Sequence, residues 1–325
     1  MKRPTSSLIA GVSAAALVAA GAAAQTGPLP TTLSEAGRAA VEADQKAPAA
    51  PRDLPGWREH QDRFQQDFGA RQMRRYPVDI VTSEIAGVPV RLIRPSGAPT
   101  RRNMVLLNLH GGSFNSDSGS LTENIPLGAL TRIPIVAVLY RLAPEHPFPA
   151  AVEDGLAVYR ELLKSHDPLE IGIYGTSAGA IIGAQLIARI QKEGLPQPAA
   201  FGMFSGDADF AHRGDTVSQL GVEAPRFYGA YVGATNRHDP LLSPALGALS
   251  DFPPTLCLSS SRDFYLSSTA NFCRRLELTG VENKLVVFDG LPHAFWCYLD
   301  TPESDQAFAI MARFMTSHLA HSRRR

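Results

Sequence analysis

The chain has 325 residues, of which 44% are hydrophobic and 19% charged, so it can fill a large core and is excluded from the intrinsically disordered class. Its 31 basic and 31 acidic side chains cancel, which argues against nucleic acid as a partner, because a binder of phosphates carries a basic excess. The three cysteines, Cys257, Cys273 and Cys297, allow at most one internal disulfide, and their spacing resembles no metal site.

At the start of the chain, Lys2 and Arg3 precede an apolar stretch over 8–24 that closes on Ala22-Ala23-Ala24. A basic region, an apolar region and an A-x-A site in that order predict a signal peptide over 1–24, cleaved before Gln25, and so a periplasmic or secreted protein. No later stretch reaches membrane-spanning length without a charge or a proline, so no stable membrane span is expected once the signal is removed. Residues 25–76 read as a linker and an N-terminal cap arm. From 25 to 55 the composition is Ala-, Pro-, Gly- and Thr-rich without a sustained period, as in an exposed linker or loosely packed arm. Over 57–76, Trp57, Phe64 and Phe68 fall on one face of a helix, as in a cap lying over something apolar.

Residues 77–325 alternate strand and helix signals. Strands at 78–82 and 88–93 form a hairpin around Ala86-Gly87. Short apolar runs follow at 104–109, 135–139, 171–174, 199–204, 255–258 and 284–288, with helices at 150–164, 178–193, 267–278 and 303–318. Continuous apolar strands separated by helices predict an α/β fold, a mostly parallel sheet covered on both faces. The stretch at about 207–242 interrupts the alternation, with Phe210, Tyr228 and Tyr231 among polar residues, and reads as a cap insertion above the sheet.

The fifth strand signal runs into Gly175-Thr176-Ser177-Ala178-Gly179 and then a helix, the setting in which a G-x-S-x-G turn projects its serine from the sheet edge. A serine needs a base and a group that orients the base. The loop 259–263 ends in Asp263 just after one strand, and the loop 289–293 ends in His293 just after the next, giving the order Ser177, Asp263, His293 of an α/β-hydrolase triad. Asp289 is the competing acid, but it lies four residues before the base on the same tight loop. Early in the chain, His110-Gly111-Gly112-Ser113-Phe114 follows a strand, and glycines there let main-chain N–H groups approach a developing oxyanion. The amides of Gly112, Ser113 and Ala178 are the expected donors. Phe114, Phe210, Tyr228, Tyr231 and Trp296 are the expected apolar contacts for substrate.

His110 to Ser113, the run from Tyr140 to Asp154, the elbow at 175–179 and the Asp263 and His293 loops together resemble the hormone-sensitive-lipase family of α/β hydrolases, from about Val88 to the last helix. The resemblance implies an α/β-hydrolase fold and a serine carboxylesterase that cleaves short- to medium-chain esters through an acyl-enzyme, with no cofactor and no metal. It also implies that Arg141, Glu145 and Asp154 form buried ion-pair scaffolding beneath the site. The family carries glycine where this chain has Ser113 and aspartate where it has Thr176; neither change removes a catalytic group. A lactonase, deacetylase or amidase would use the same residues. A ligand-binding protein on this scaffold is the reading from another class, since plant hormone receptors of the family have lost the histidine that is present here as His293. The expected partner is a small-molecule ester, and the sequence is compatible with a homodimer.

Overall fold

The computed structural model describes residues 27–51, 53–97, 100–219 and 229–320. The expected signal peptide lies outside them. The described chain opens with helices α1 (Glu35–Gln45) and α2 (Leu54–Arg75), followed by strands β1 (Val78–Ile85) and β2 (Val88–Pro95). Ala86 and Gly87 both have positive φ, 51° and 79°, as a two-residue turn matching the twist of a hairpin demands.

Then come β3 (Val105–Leu109), α3 (Asn124–Thr131), β4 (Ile135–Val138), α4 (Ala150–Leu162), β5 (Ile171–Thr176), α5 (Ala178–Lys192) and β6 (Ala200–Phe204). The chain continues through α6 (Asp215–Gln219), β7 (Thr255–Arg262), α7 (Leu266–Leu278), β8 (Asn283–Pro292) and α8 (Pro302–Ala320). Among the described residues the strands form one sheet in the order β1-β2-β4-β3-β5-β6-β7-β8. The pairings of β1 with β2 and β2 with β4 are antiparallel; the others are parallel.

Every residue of β3, β4, β5 and β6 is buried, which accounts for their predominantly apolar sequences. Alternate side chains serve opposite faces. Leu107, Ile173 and Phe201 join Ile181 of α5 and Leu156 of α4 on one side. On the other side, Leu106, Tyr174 and Phe204 join Met311 and Met315 of α8. Among the described residues no helix is long and apolar enough to cross a membrane.

The structure corrects several expectations. The stretch read as an exposed linker carries α1, capped by Ser34, whose hydroxyl accepts the Gly37 N–H at 2.9 Å. That helix lacks a strong sequence signal because docking holds it: Val41 is fully buried, and Ser34 donates through both N–H and Oγ to the Glu303 carboxylate of α8. Helix α3 was not anticipated. The loop expected at 289–293 is instead the continuation of β8 as far as Pro292. The ion-pair scaffold is neither wholly buried nor continuous. Arg141 pairs with Asp154 at 2.8 Å and has a half-exposed side chain, while Glu145 pairs at 2.7 Å with Arg58 of α2.

Helix α2 is tied to the loop that follows His110. Trp57 donates its indole N–H to Ser116 Oγ at 3.0 Å, Gln65 bridges the Asp117 carbonyl and the Leu121 N–H, and Arg58 donates to the Asn115 carbonyl. The helix thus clamps the loop that follows His110. Phe210 and Tyr231 pack in the core on the α5 side of the sheet, and Tyr228 lies outside the described residues.

Candidate active site

Ser177 stands between the end of β5 and the start of α5 with φ 58° and ψ −123°, a backbone conformation that a non-glycine residue holds only when its surroundings impose it. Those surroundings are backbone. A Cβ at Gly179 would lie 1.9 Å from the Leu109 carbonyl oxygen, so only glycine lets the first turn of α5 approach β3, and the Ser177 N–H is held by the Phe204 carbonyl at 2.9 Å.

The base and its orienting acid come from adjacent strands. Arg262 of β7 pairs with Pro292 of β8, so the residues that immediately follow, Asp263 and His293, emerge side by side. Ser260 reinforces this level by donating to the Pro292 carbonyl at 3.1 Å. His293 Nδ1 lies 2.7 Å from Asp263 Oδ1, and His293 Nε2 lies 2.9 Å from Ser177 Oγ.

Asp263 is fully buried. Burial works against its charge, but His293 and the hydroxyls of Ser205 and Ser259 hold its carboxyl below the usual range. Further bonds come from Ser259 Oγ at 2.7 Å and the Tyr265 N–H at 2.9 Å. An ionised Asp263 can only accept, so Nδ1 carries the proton and Nε2 is left to accept from the Ser177 hydroxyl. Asp289, the competing acid, lies elsewhere: its oxygens accept from Thr32 at 2.7 Å and Ser261 at 2.9 Å, anchoring the N-terminal arm.

The loop after His110 presents backbone. The Gly111 carbonyl accepts the Ser118 N–H, and the Gly112 carbonyl accepts the N–H groups of Asn115 and Ser116. Because each peptide is planar and trans, carbonyls committed to the 115–118 turn direct the N–H groups of Gly112 and Ser113 to the opposite side. The turn requires Gly112, where φ is +124° and a Cβ would lie 2.0 Å from the Ser116 carbonyl oxygen. Ser113 and Phe114 follow with positive φ of 54° and 67°. Ala178 opens α5, where the first N–H groups have no intrahelical acceptor.

The expected substrate contacts separate into two groups. Phe114 is stacked on Tyr231 at 3.9 Å, with Phe210 at 6.2 Å from Tyr231, and all three are buried. Tyr231 is further tied through its hydroxyl to Gln185 of α5 at 2.5 Å. Trp296 does not join them. Ala294 turns the chain with φ 54°, and Trp296 packs at 1% exposure with Phe204 and Phe295 in the core on the α8 side, donating to Thr176 Oγ1 at 3.3 Å.

Sequence reasoning missed four residues around the base and acid. Ser259 donates to the Asp263 carboxylate, and Ser205 lies beside it. The ring of Phe264 lies 4.2 Å from that of His293 and Tyr265 lies 5.5 Å away, so the imidazole is flanked by two aromatic rings. Ser259 belongs to the Ser259-Ser260-Ser261 run, but nothing in its spacing distinguishes the hydroxyl that bonds the acid.

A family described as alpha/beta hydrolase fold matches residues 106–297. The chain is similar to the acetyl-hydrolase of Streptomyces hygroscopicus, with 30% identity over 270 residues that span 78% of this chain and 87% of that protein. Among solved structures, an esterase E25 is similar with a TM-score of 0.77 and 27% identity, over 90% of this chain and 97% of its own. A hormone-sensitive lipase from a metagenome library is similar with a TM-score of 0.69 and 28% identity, over 80% and 91%.

Proposed function

The chain belongs to the hormone-sensitive-lipase family of α/β hydrolases, and from that premise we propose that it is a serine carboxylesterase acting on short- to medium-chain esters through an acyl-enzyme. Ser177 Oγ attacks the ester carbonyl carbon as its proton passes to His293 Nε2. The resulting oxyanion is stabilised by the amides of Gly112, Ser113 and Ala178. Collapse of the intermediate breaks the bond to the alcohol oxygen, which takes the proton from His293 and leaves. A water then attacks the acyl-enzyme, passes a proton to His293, and the acid departs as Ser177 recovers its hydrogen. Asp263 holds the imidazole in the required tautomer and stabilises the imidazolium. The reading needs no cofactor, because side chains and water account for every bond made and broken.

The observation that carries this reading is the unbroken series from Ser177 Oγ through His293 to the buried Asp263 carboxylate. A short acyl group is supported by the acetyl-hydrolase relative. Purified protein should turn over p-nitrophenyl acetate and butyrate, and fall off on longer acyl chains. No turnover above background together with tight binding of a small ligand would favour a receptor instead.

Export is part of the same proposal, on the strength of the basic, apolar and A-x-A segments over 1–24. Protein recovered from its native host should begin near Gln25 by N-terminal sequencing. An intact Met1 in a cytosolic fraction would reject export.

A further inference from the structure

The mechanism above makes no use of Glu123, yet this side chain lies between its two halves. The residue is 3% exposed and stands at the N-terminal boundary of α3, its side chain turned away from capping the helix. Its Oε1 accepts the Gly111 N–H at 3.3 Å, and its Oε2 accepts from Asn108 Nδ2 at 3.2 Å. Gly111 is packed between this carboxyl and the elbow: a Cβ there would lie 3.6 Å from Glu123 Oε1 and 3.0 Å from the Thr176 carbonyl oxygen, and the Thr176 hydroxyl favours the charged form of the carboxyl. Gly111 immediately precedes the first expected oxyanion donor, and Thr176 immediately precedes the nucleophile. One carboxyl therefore connects the loop that supplies the amides to the elbow that supplies Ser177.

The connection is held from both ends. Asn108 accepts from Asn124 Nδ2 at 2.9 Å, and Asn124 in turn accepts from the Tyr174 hydroxyl. Thr176 Oγ1 accepts the indole N–H of Trp296. There is no slack, because a Cβ on Gly119 would fall 2.0 Å from Glu123 Oε1.

We propose that Glu123 is a positioning residue that fixes the distance between the oxyanion loop and the nucleophile elbow through the Gly111 N–H and Thr176. This rests on the assignment of Ser177 as nucleophile. It also gives the replacement of the family's aspartate by Thr176 a physical sense: two buried carboxyls side by side cannot both ionise, whereas a hydroxyl adds no charge. A misplacement of the donors by a fraction of an ångström weakens transition-state binding far more than substrate binding, so the effect falls on kcat.

Burial, partly offset by the bonds from Gly111, Asn108 and Thr176 and augmented by Asp117, pushes the Glu123 carboxyl up to about 8. The other groups around it keep one charge state near that pH. Tyr140, Tyr174 and Cys297 are raised by burial and stay neutral. Burial opposes ionisation of Asp117, but His110, Ser120 and Arg91 hold it below its ordinary value, so it stays charged. Above about pH 8, then, a new negative charge develops beside the loop and opposes the oxyanion.

The test compares kcat and KM for p-nitrophenyl butyrate, from about pH 6 to about pH 10, in the full-length wild type, Glu123→Ala and Glu123→Gln, with thermal unfolding of each. Glu123→Ala should lower kcat by about 10- to 100-fold with KM within about twofold. Glu123→Gln, which keeps an acceptor for the Gly111 N–H and cannot ionise, should recover most of that loss and abolish the fall in kcat above about pH 8. Wild-type kcat in a folded Glu123→Ala overturns the proposal, and so does an unchanged alkaline limb in Glu123→Gln. If the alanine variant fails to fold, the glutamine profile decides alone. The serine assignment fails separately, through ester turnover by Ser177→Ala.

Discussion

Ser177→Ala should reduce hydrolysis of p-nitrophenyl butyrate by about 10⁴-fold or more while leaving thermal stability within about 1 kcal/mol. The hydroxyl is the only group the substitution deletes, and it accounts for one hydrogen bond, to His293 Nε2. No cavity of consequence forms, and the Ser177 N–H bond to the Phe204 carbonyl is unaffected by the side chain. The strained φ of 58° is no easier for alanine than for serine, so backbone strain does not mask the result. Residual turnover of more than a few per cent in a correctly folded variant would sink the nucleophile assignment.

A comparably large effect is expected from Asp263→Asn, and almost none from Asp289→Asn. The carboxylate meets Nδ1 through Oδ1 alone; an amide NH2 in that place donates to Nδ1 and favours the tautomer with the proton on Nε2, which leaves Ser177 without a base. The expected loss in kcat is about 10⁴-fold. Asp289 accepts from Thr32 and Ser261 beside the N-terminal arm, and its substitution should cost a fraction of a kcal/mol in docking of that arm. Measured kcat values for both variants, in protein of confirmed fold, separate the two acids. A larger loss at 289 than at 263 would reverse their assignment.

The residues legible in the sequence are those whose role is written in local geometry. Gly175 and Gly179 bracket Ser177 because backbone approaches on either side of a strand-to-helix turn, and that requirement leaves a short motif. Asp263 and His293 were legible through their order and their position after strands. The surrounding shell was not, since it depends on which side chains meet across the sheet. Ser259, Phe264 and Glu123 are ordinary residues in ordinary contexts, and each acquires its role from a partner 4 to 53 residues away, as Glu123 does from Gly111 and Thr176.

Two misreadings have specific causes. Gly290 and Pro292 are turn signals, and they concealed the extension of β8; Gly290 in fact takes a positive φ of 72° within the strand, against Pro30 and Leu33 of the arm. Trp296 stands three residues from His293, which made it a natural substrate contact. The turn at Ala294 carries it into the opposite core instead. Proximity in sequence sets proximity to a site only while the chain keeps its direction.

The pairing of Arg262 with Pro292 also has a temporal side. His293 follows the last strand in chain order and meets Ser177 across 116 positions of chain, while the amides of Gly112 and Ser113 precede both. Contacts of such separation close late, after the local hairpins and strand-helix units have formed. A growing or partly threaded polypeptide therefore has the nucleophile long before it has the base. The triad is complete only once β8 is paired with β7 at the edge of the sheet.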